Sequence, residues 1–265
     1  MSKNSCRSGT STSSSPCQSR SRVWRALTDA KEFGQWFRVN LDDRFAQGRK
    51  TSGRITYPGY EHLRFEVQVE TPRSVIAPDG AVAAPRIVDA AGGRLTAMHV
   101  GVFDYTASLG LMPWEQRLDH PANDLARRLL QVALAGTGVA ISDGSSNIVP
   151  ASDRTEDVHA AWRVHAGHVR HSLSAGFYQG WDLHPSHLVS RYAAVYGWLL
   201  PHLDDATARV GAWRAGANAE GVLDEPATII GLLRYLRLAV SSGAVDQAEV
   251  LERAGLSPDE LRGSG

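Results

Sequence analysis

Four short apolar runs, each closed by an acidic residue, recur along the chain at nearly even intervals. Glu70 follows FEVQV, Asp104 follows AMHVGVF, Asp143 follows GVAIS, and Asp182 sits in FYQGWDLHP. Successive acids are 34, 39 and 39 residues apart. An interval of that size holds one strand, one helix and two loops, roughly the 30-plus residues of a βαβ unit. Strands joined this way run parallel, and their C-termini share one rim where loops carry binding and chemistry. The spacing therefore predicts a parallel α/β array with four carboxylates at one opening.

The stretches between the acids fit that reading. EHLRFEVQVETP alternates apolar and polar residues, as a strand with one buried face does. LTAMHVGVF is almost continuously apolar, which predicts a strand covered on both faces. AVAAPRIVDAAG reads as a short helix ended by Gly92-Gly93, ANDLARRLLQVALAG as an amphipathic helix stopped by Gly136, and TEDVHAAWRVHAGHVRHSLSAG as a long helix from Thr155 to Gly176. GVAIS and FYQGWDLHP supply two more strands. SHLVSRYAAVYGWLLPHL, EPATIIGLLRYLRLAVSSG and DQAEVLERAGL are helices. The order from Leu63 to His184 is β-α-β-α-β-α-β, with helices after it.

Charge and composition narrow the partners. Lys+Arg and Asp+Glu both number 28, so no electrostatic footprint for nucleic acid or an anionic membrane is expected. No apolar run reaches the length of a membrane span. Cys6 and Cys17 are the only cysteines, and both lie in a Ser-rich N-terminal stretch. Their absence elsewhere fits a reducing, cytoplasmic setting. Residues 1–20 have too little apolar content to offset chain entropy and read as a disordered leader, with no apolar core of a secretory signal. GTGVAISDGSSN has glycines and hydroxyls suited to a carboxylate or phosphate, but not the spacing of a nucleotide-binding loop.

Two resemblances follow from particular stretches. FEVQVETPRSV, HVGVFDYTASLG, DHPANDLARRLLQVALAGTGVAISDGSSNIVP and HVRHSLSAGFYQGWDLHPSHLVSRYAAVYGWL are similar to the C-terminal half of the citrate-lyase β-subunit/HpcH-HpaI aldolase superfamily, an aldolase-like branch of the phosphoenolpyruvate/pyruvate-binding TIM barrels. SRVWRALTDAKEFGQWFRVNL and GRITYPGYEH resemble the opening of START-like (SRPBCC) proteins of the chaperone-ATPase-activator homologue group. Together they imply an α/β fold: a partial, half TIM-type β/α barrel with parallel strands and C-terminal helices, preceded by a truncated α+β START-like segment. The implied division is a leader over 1–20, a START-like fragment over 21–62, a half barrel over 63–200 and a helical extension over 201–265. Superfamily barrels have eight strands, and residues 1–62 match none of the earlier ones. A half barrel exposes two strand edges and an apolar inner face, which a second copy of the chain can close.

The aldolase resemblance implies that Glu70 and Asp104 hold a divalent metal, Mg²⁺ or Mn²⁺, for a carbon–carbon lyase or aldolase acting on a 2-oxo acid or an acyl-thioester. Hard cations prefer a few carboxylate oxygens and keep positions open for substrate and water. With half the barrel missing, metal positions are expected to persist while turnover is weak or lost. Asp143, Asp182 and His184 are further candidates at the rim. Asp143-Gly144 equally suits a tight turn, Asp182 a partner for His184 or a helix cap, and His184 a loop histidine bonded to backbone. His99 reads as a satisfied core histidine. His159, His165, His168 and His171 share one helix, where spacing alone permits a surface metal site. Two other readings stay open: a START-like hydrophobic-ligand or chaperone-interaction module, and an inactive fusion relic.

Overall fold

FEVQV folds as a strand whose alternate residues face opposite ways, and the rest of the sheet is laid against it. In the computed structural model the described residues are 31, 39–41, 53–55, 63–219 and 221–263. The chain divides into two units, Met1–Arg64 and Phe65–Gly265. In the first, β1 (Val39–Leu41) pairs antiparallel with β2 (Gly53–Ile55), placing Val39 opposite Ile55. The expected leader, both cysteines and most of the START-like stretch lie outside the described residues.

The second unit begins with β3 (Phe65–Val69), followed by α1 (Pro72–Val75), α2 (Ala84–Ala91) and β4 (Leu95–Val100). Next come α3 (Val102–Ser108), a 3₁₀ turn (Pro113–Glu115), α4 (Pro121–Leu134), β5 (Ala140–Ser142) and β6 (Ser145–Ser146). Then α5 (Thr155–Ser174), β7 (Trp181–Asp182) and α6 (Ser186–Leu199) complete the alternating part. A 3₁₀ turn (Leu200–His202) leads into α7 (Leu203–Arg214), α8 (Pro226–Ser241), α9 (Gln247–Ala254) and α10 (Pro258–Arg262). β3, β4 and β5 form a parallel sheet in that order, and β6 pairs parallel with β7. The Asp143 amide donates to the Gln179 carbonyl at 2.8 Å, which ties the fourth run to the third across the break between β5 and β6.

Register sorts the sheet into two unlike faces. Val67 lies beside Met98 and Met98 beside Ile141, while Val69 lies beside Val100. This apolar face packs with Ala84 and Ala91 of α2, Tyr105 of α3, and Ala126, Leu130 and Leu134 of α4. A Val or Leu side chain fully buried in such a layer contributes about 1.5–3 kcal/mol. On the other face Gln68, His99 and Ser142 stand side by side. The His99 ring bonds the Ser142 hydroxyl at 2.6 Å and the Glu66 carboxylate at 2.9 Å, with the Trp181 ring 5.1 Å away. The expected apolar inner face is therefore not what β3 and β4 present. Glu66 and Gln68 are exposed there, and the buried histidine is satisfied by polar neighbours.

Two strand boundaries differ from those expected, and two helices are added. The strand in LTAMHVGVF stops at Val100. The Gly101 amide donates to the Val69 carbonyl at 2.9 Å, and the Gly101 carbonyl accepts from Tyr105 at 3.0 Å, so VF opens α3 instead of extending β4. FYQGWDLHP contributes only Trp181–Asp182 as strand. Helices α7 and α10, not anticipated from pattern, belong to a second core formed by Leu199, Leu203, Val210, Leu236, Val250 and Leu261 among others.

Candidate functional site

The four recurring acids fall into two chemical kinds. Asp143, just past β5, is fully buried and saturated. Its carboxylate accepts from Arg127 Nε at 2.9 and 3.0 Å, from the Gly144 amide at 2.8 Å and from the Ser172 hydroxyl at 2.5 Å. Arg127, on α4 and equally buried, also donates to Asp124 at 2.8 Å and to the Leu118 carbonyl at 2.6 Å. Asp182, on β7, accepts from Arg191 Nε of α6 at 2.7 Å through Oδ2. His184 is exposed just before α6, where Nδ1 accepts from the Ser186 amide at 3.2 Å.

Glu70 and Asp104 are the other kind. Glu70 is half-buried directly after β3, and Asp104 is exposed in the first turn of α3, directly after β4 and Gly101. Among the described residues neither carboxylate has a hydrogen bond or ion pair. Gly101 makes the arrangement sterically feasible. A Cβ there would lie 2.4 Å from Glu70 Cγ and 3.3 Å from Oε1, so the Glu70 side chain occupies the space a larger residue would need. Carboxylate oxygens are hard donors of the kind that Mg²⁺ or Mn²⁺ takes, whereas thiolate and imidazole suit softer ions.

The α5 histidines do not form one site. His171 bonds Asp124 at 2.8 Å, His168 bonds the Ser146 hydroxyl at 2.9 Å, and His165 turns toward α6. His168 lines a cavity of about 580 Å³ with Arg117, Asp119, Arg163 and His171. Burial holds the His165 pKa at about 4, with the His187 ring and Arg191 acting in the same direction. His165 Nε2 lies 3.4 Å and His187 Nδ1 4.0 Å from Asp182 Oδ1, and the two imidazoles stack 4.2 Å apart. The sequence reading missed His187, Arg127 and Arg191. Each joins its partner only through tertiary packing, and none sits in a motif of its own.

Burial also pushes the His168 pKa below 6.5, against a smaller opposing pull from Asp119. An unfolded chain takes up that proton near pH 6.5, whereas the folded one stays neutral to lower pH. The stabilisation is therefore complete above about pH 6.5 and is lost as pH falls through the depressed folded pKa. Thermal melts should show Tm lower at pH 5 than at pH 7, with a shallower slope in His168→Gln. An unchanged slope in that variant would contradict the assignment.

The family described as "Domain of unknown function (DUF6986)" matches residues 58–265. The chain belongs to that family. No curated protein matches it. Among solved structures, a citrate lyase from Burkholderia xenovorans LB400 is similar, with 20% identity over 73% of this chain and a TM-score of 0.52. The DUF6986 chain spans 57% of that enzyme's length. A Haloferax volcanii malate synthase, in a lead(II) complex, matches with 19% identity over 73% of this chain and 59% of its own, at a TM-score of 0.34. The citrate lyase likeness is one of fold: parallel strands alternating with helices. Among the described residues no helix is long and apolar enough to cross a membrane.

Proposed function

We propose that this DUF6986 chain is a metal-dependent carbon–carbon lyase or aldolase-like protein acting on a 2-oxo acid or an acyl-thioester, with Glu70 and Asp104 as the residues that hold Mg²⁺ or Mn²⁺. One observation carries the reading. Of the four recurring acids, Asp143 and Asp182 are paired with arginines, while Glu70, just after β3, and Asp104, in the first turn of α3 that follows the neighbouring β4, are left unpaired among the described residues. A carboxylate with both oxygens engaged, as in Asp143, is a poor further ligand, and Asp182 has one oxygen taken by Arg191, whereas Glu70 and Asp104 leave both oxygens open to a cation. The likeness in fold to a citrate lyase supports the lyase class of the reading at a general level.

A dication bound there supplies Lewis-acid stabilisation of the charge that develops on a keto oxygen when a carbon–carbon bond breaks or forms. The chain's own residues do the rest. Glu70 and Asp104 bind and orient. Asp143 acts from behind: through Gly144, Ser172 and Arg127 it fixes the end of β5 against α4 and α5. Asp182 anchors α6 through Arg191, which sets the loop bearing His184. With Nδ1 engaged by Ser186, the His184 Nε2 atom is the one placed to exchange a proton with solvent or substrate.

Isothermal titration with Mg²⁺ and Mn²⁺, with and without pyruvate, tests the site. Saturable heat that is enhanced by pyruvate and absent from the Glu70→Ala/Asp104→Ala double variant is expected. Undiminished binding in that variant would remove the proposal.

A further inference from the structure

Three side chains from three elements converge on one small space. His165 comes from α5, Asp182 from β7 and His187 from α6, and one donor atom from each lies within 4.8 Å of the other two. His165 and His187 are each 1% exposed. The protons can be placed from the surrounding bonds. His187 Nε2 donates to the Ile148 carbonyl at 2.7 Å, which leaves Nδ1 a bare lone pair. The Ser190 hydroxyl donates to the His187 carbonyl at 3.1 Å and so accepts from His165 Nδ1 at 2.8 Å, which leaves His165 Nε2 bare as well. Asp182 Oδ2 is taken by Arg191, so Oδ1 faces the two imidazoles.

Three acceptors thus point at each other with no donor between them. Asp182 Oδ1 and His187 Nδ1 are both buried and without a hydrogen-bond partner. Leaving such atoms unsatisfied is costly, and buried polar groups in folded proteins are normally paired. A cation satisfies all three at once. We propose that His165, Asp182 and His187 form a second metal site that takes Zn²⁺ or a first-row dication of similar preference.

Two imidazoles and one carboxylate suit Zn²⁺ better than Mg²⁺, which sets this site apart from the all-carboxylate pair at Glu70 and Asp104. Ligands about 2.0–2.1 Å from zinc sit roughly 3.3–3.5 Å from one another at tetrahedral corners. The 3.4 Å separation between His165 Nε2 and Asp182 Oδ1 already matches, while His187 Nδ1, 4.0 Å from Asp182 Oδ1, must turn its ring out of the 17° stack with His165 before both lone pairs meet one ion. Each ligand is also held on its far side: His187 by Ile148, His165 by Ser190 and Asp182 by Arg191. Metal-binding histidines are oriented by just this kind of outer bond. The ion would lock α5, α6 and β7 together behind the rim.

The test uses the full chain, stripped with a chelator and titrated with Zn²⁺ against a chromophoric competitor. One equivalent should bind. His187→Gln should weaken binding at least about 10–100-fold, the loss that follows even from removing a ligand's supporting bond. Glu70→Ala/Asp104→Ala and His184→Gln should bind Zn²⁺ as the parent does. No uptake by the parent, unchanged affinity in His187→Gln, or loss in the Glu70/Asp104 variant would each overturn the proposal. Should His187→Gln fail to fold, X-ray absorption of the zinc-loaded parent decides. Two imidazoles in the coordination shell support the site, and fewer overturn it.

Discussion

Arg127→Met is expected to destabilise the fold by about 3–5 kcal/mol, because it strands the Asp143 carboxylate in a dry interior without its counter-charge. Both groups are 0% exposed, and the guanidinium reaches Asp143, Asp124 and the Leu118 carbonyl together. For a unit of this size a loss of that magnitude lowers Tm by about 8–15 °C, readable in a thermal melt. Arg127→Lys should recover only part, since a single ammonium cannot span three acceptors set in a guanidinium plane. The double variant Arg127→Met/Asp143→Leu is the informative control. Removing both charges takes away the stranded ion along with its partner, so the double variant should be more stable than Arg127→Met alone. A double variant whose loss equals the sum of the single losses would mean that the pair is not coupled, and that Asp143 is held by Ser172 and Gly144 instead.

That ion pair also shows what pattern reading reaches and what it does not. The recurring acids were visible because strand and helix periodicities are local, and GVAIS-Asp143 ends its strand where expected. The role of Asp143 was not visible, because Arg127 lies 16 residues earlier on a different element and looks like any polar position on an amphipathic helix. The α5 histidines make the same point. Ala161, His165, His168, Val169, Ser172 and Leu173 form the buried stripe, at the i, i+4, i+7, i+8 spacing of a packed helix. With histidine and serine scored as polar, that stripe loses its contrast, and His165 and His168 read as surface residues. The break at Gly101 was hidden for the opposite reason. LTAMHVGVF is apolar throughout, and hydrophobicity cannot tell the end of a buried strand from the start of a buried helix.

Gly101 carries the prediction that bears most directly on chemistry. Its φ of −86° is open to any L-residue, so Gly101→Ala introduces no backbone strain. The added methyl meets the Glu70 side chain instead, 2.4 Å from Cγ, and also crowds the Val69 carbonyl at 3.2 Å. Glu70 must swing away from the end of β4, which moves its carboxylate relative to Asp104. If Glu70 and Asp104 are the ligands, Mg²⁺ or Mn²⁺ affinity should fall by about 10–100-fold, the range seen when the support of a metal ligand is disturbed. Overpacking of this kind costs about 1–3 kcal/mol, so the variant should still fold, and circular dichroism can verify that before titration. Binding of Zn²⁺ should not change, since none of its proposed ligands touches Gly101. A Gly101→Ala protein that is folded and binds Mg²⁺ as tightly as the parent would separate Glu70 from the metal and leave the free carboxylates as surface charge.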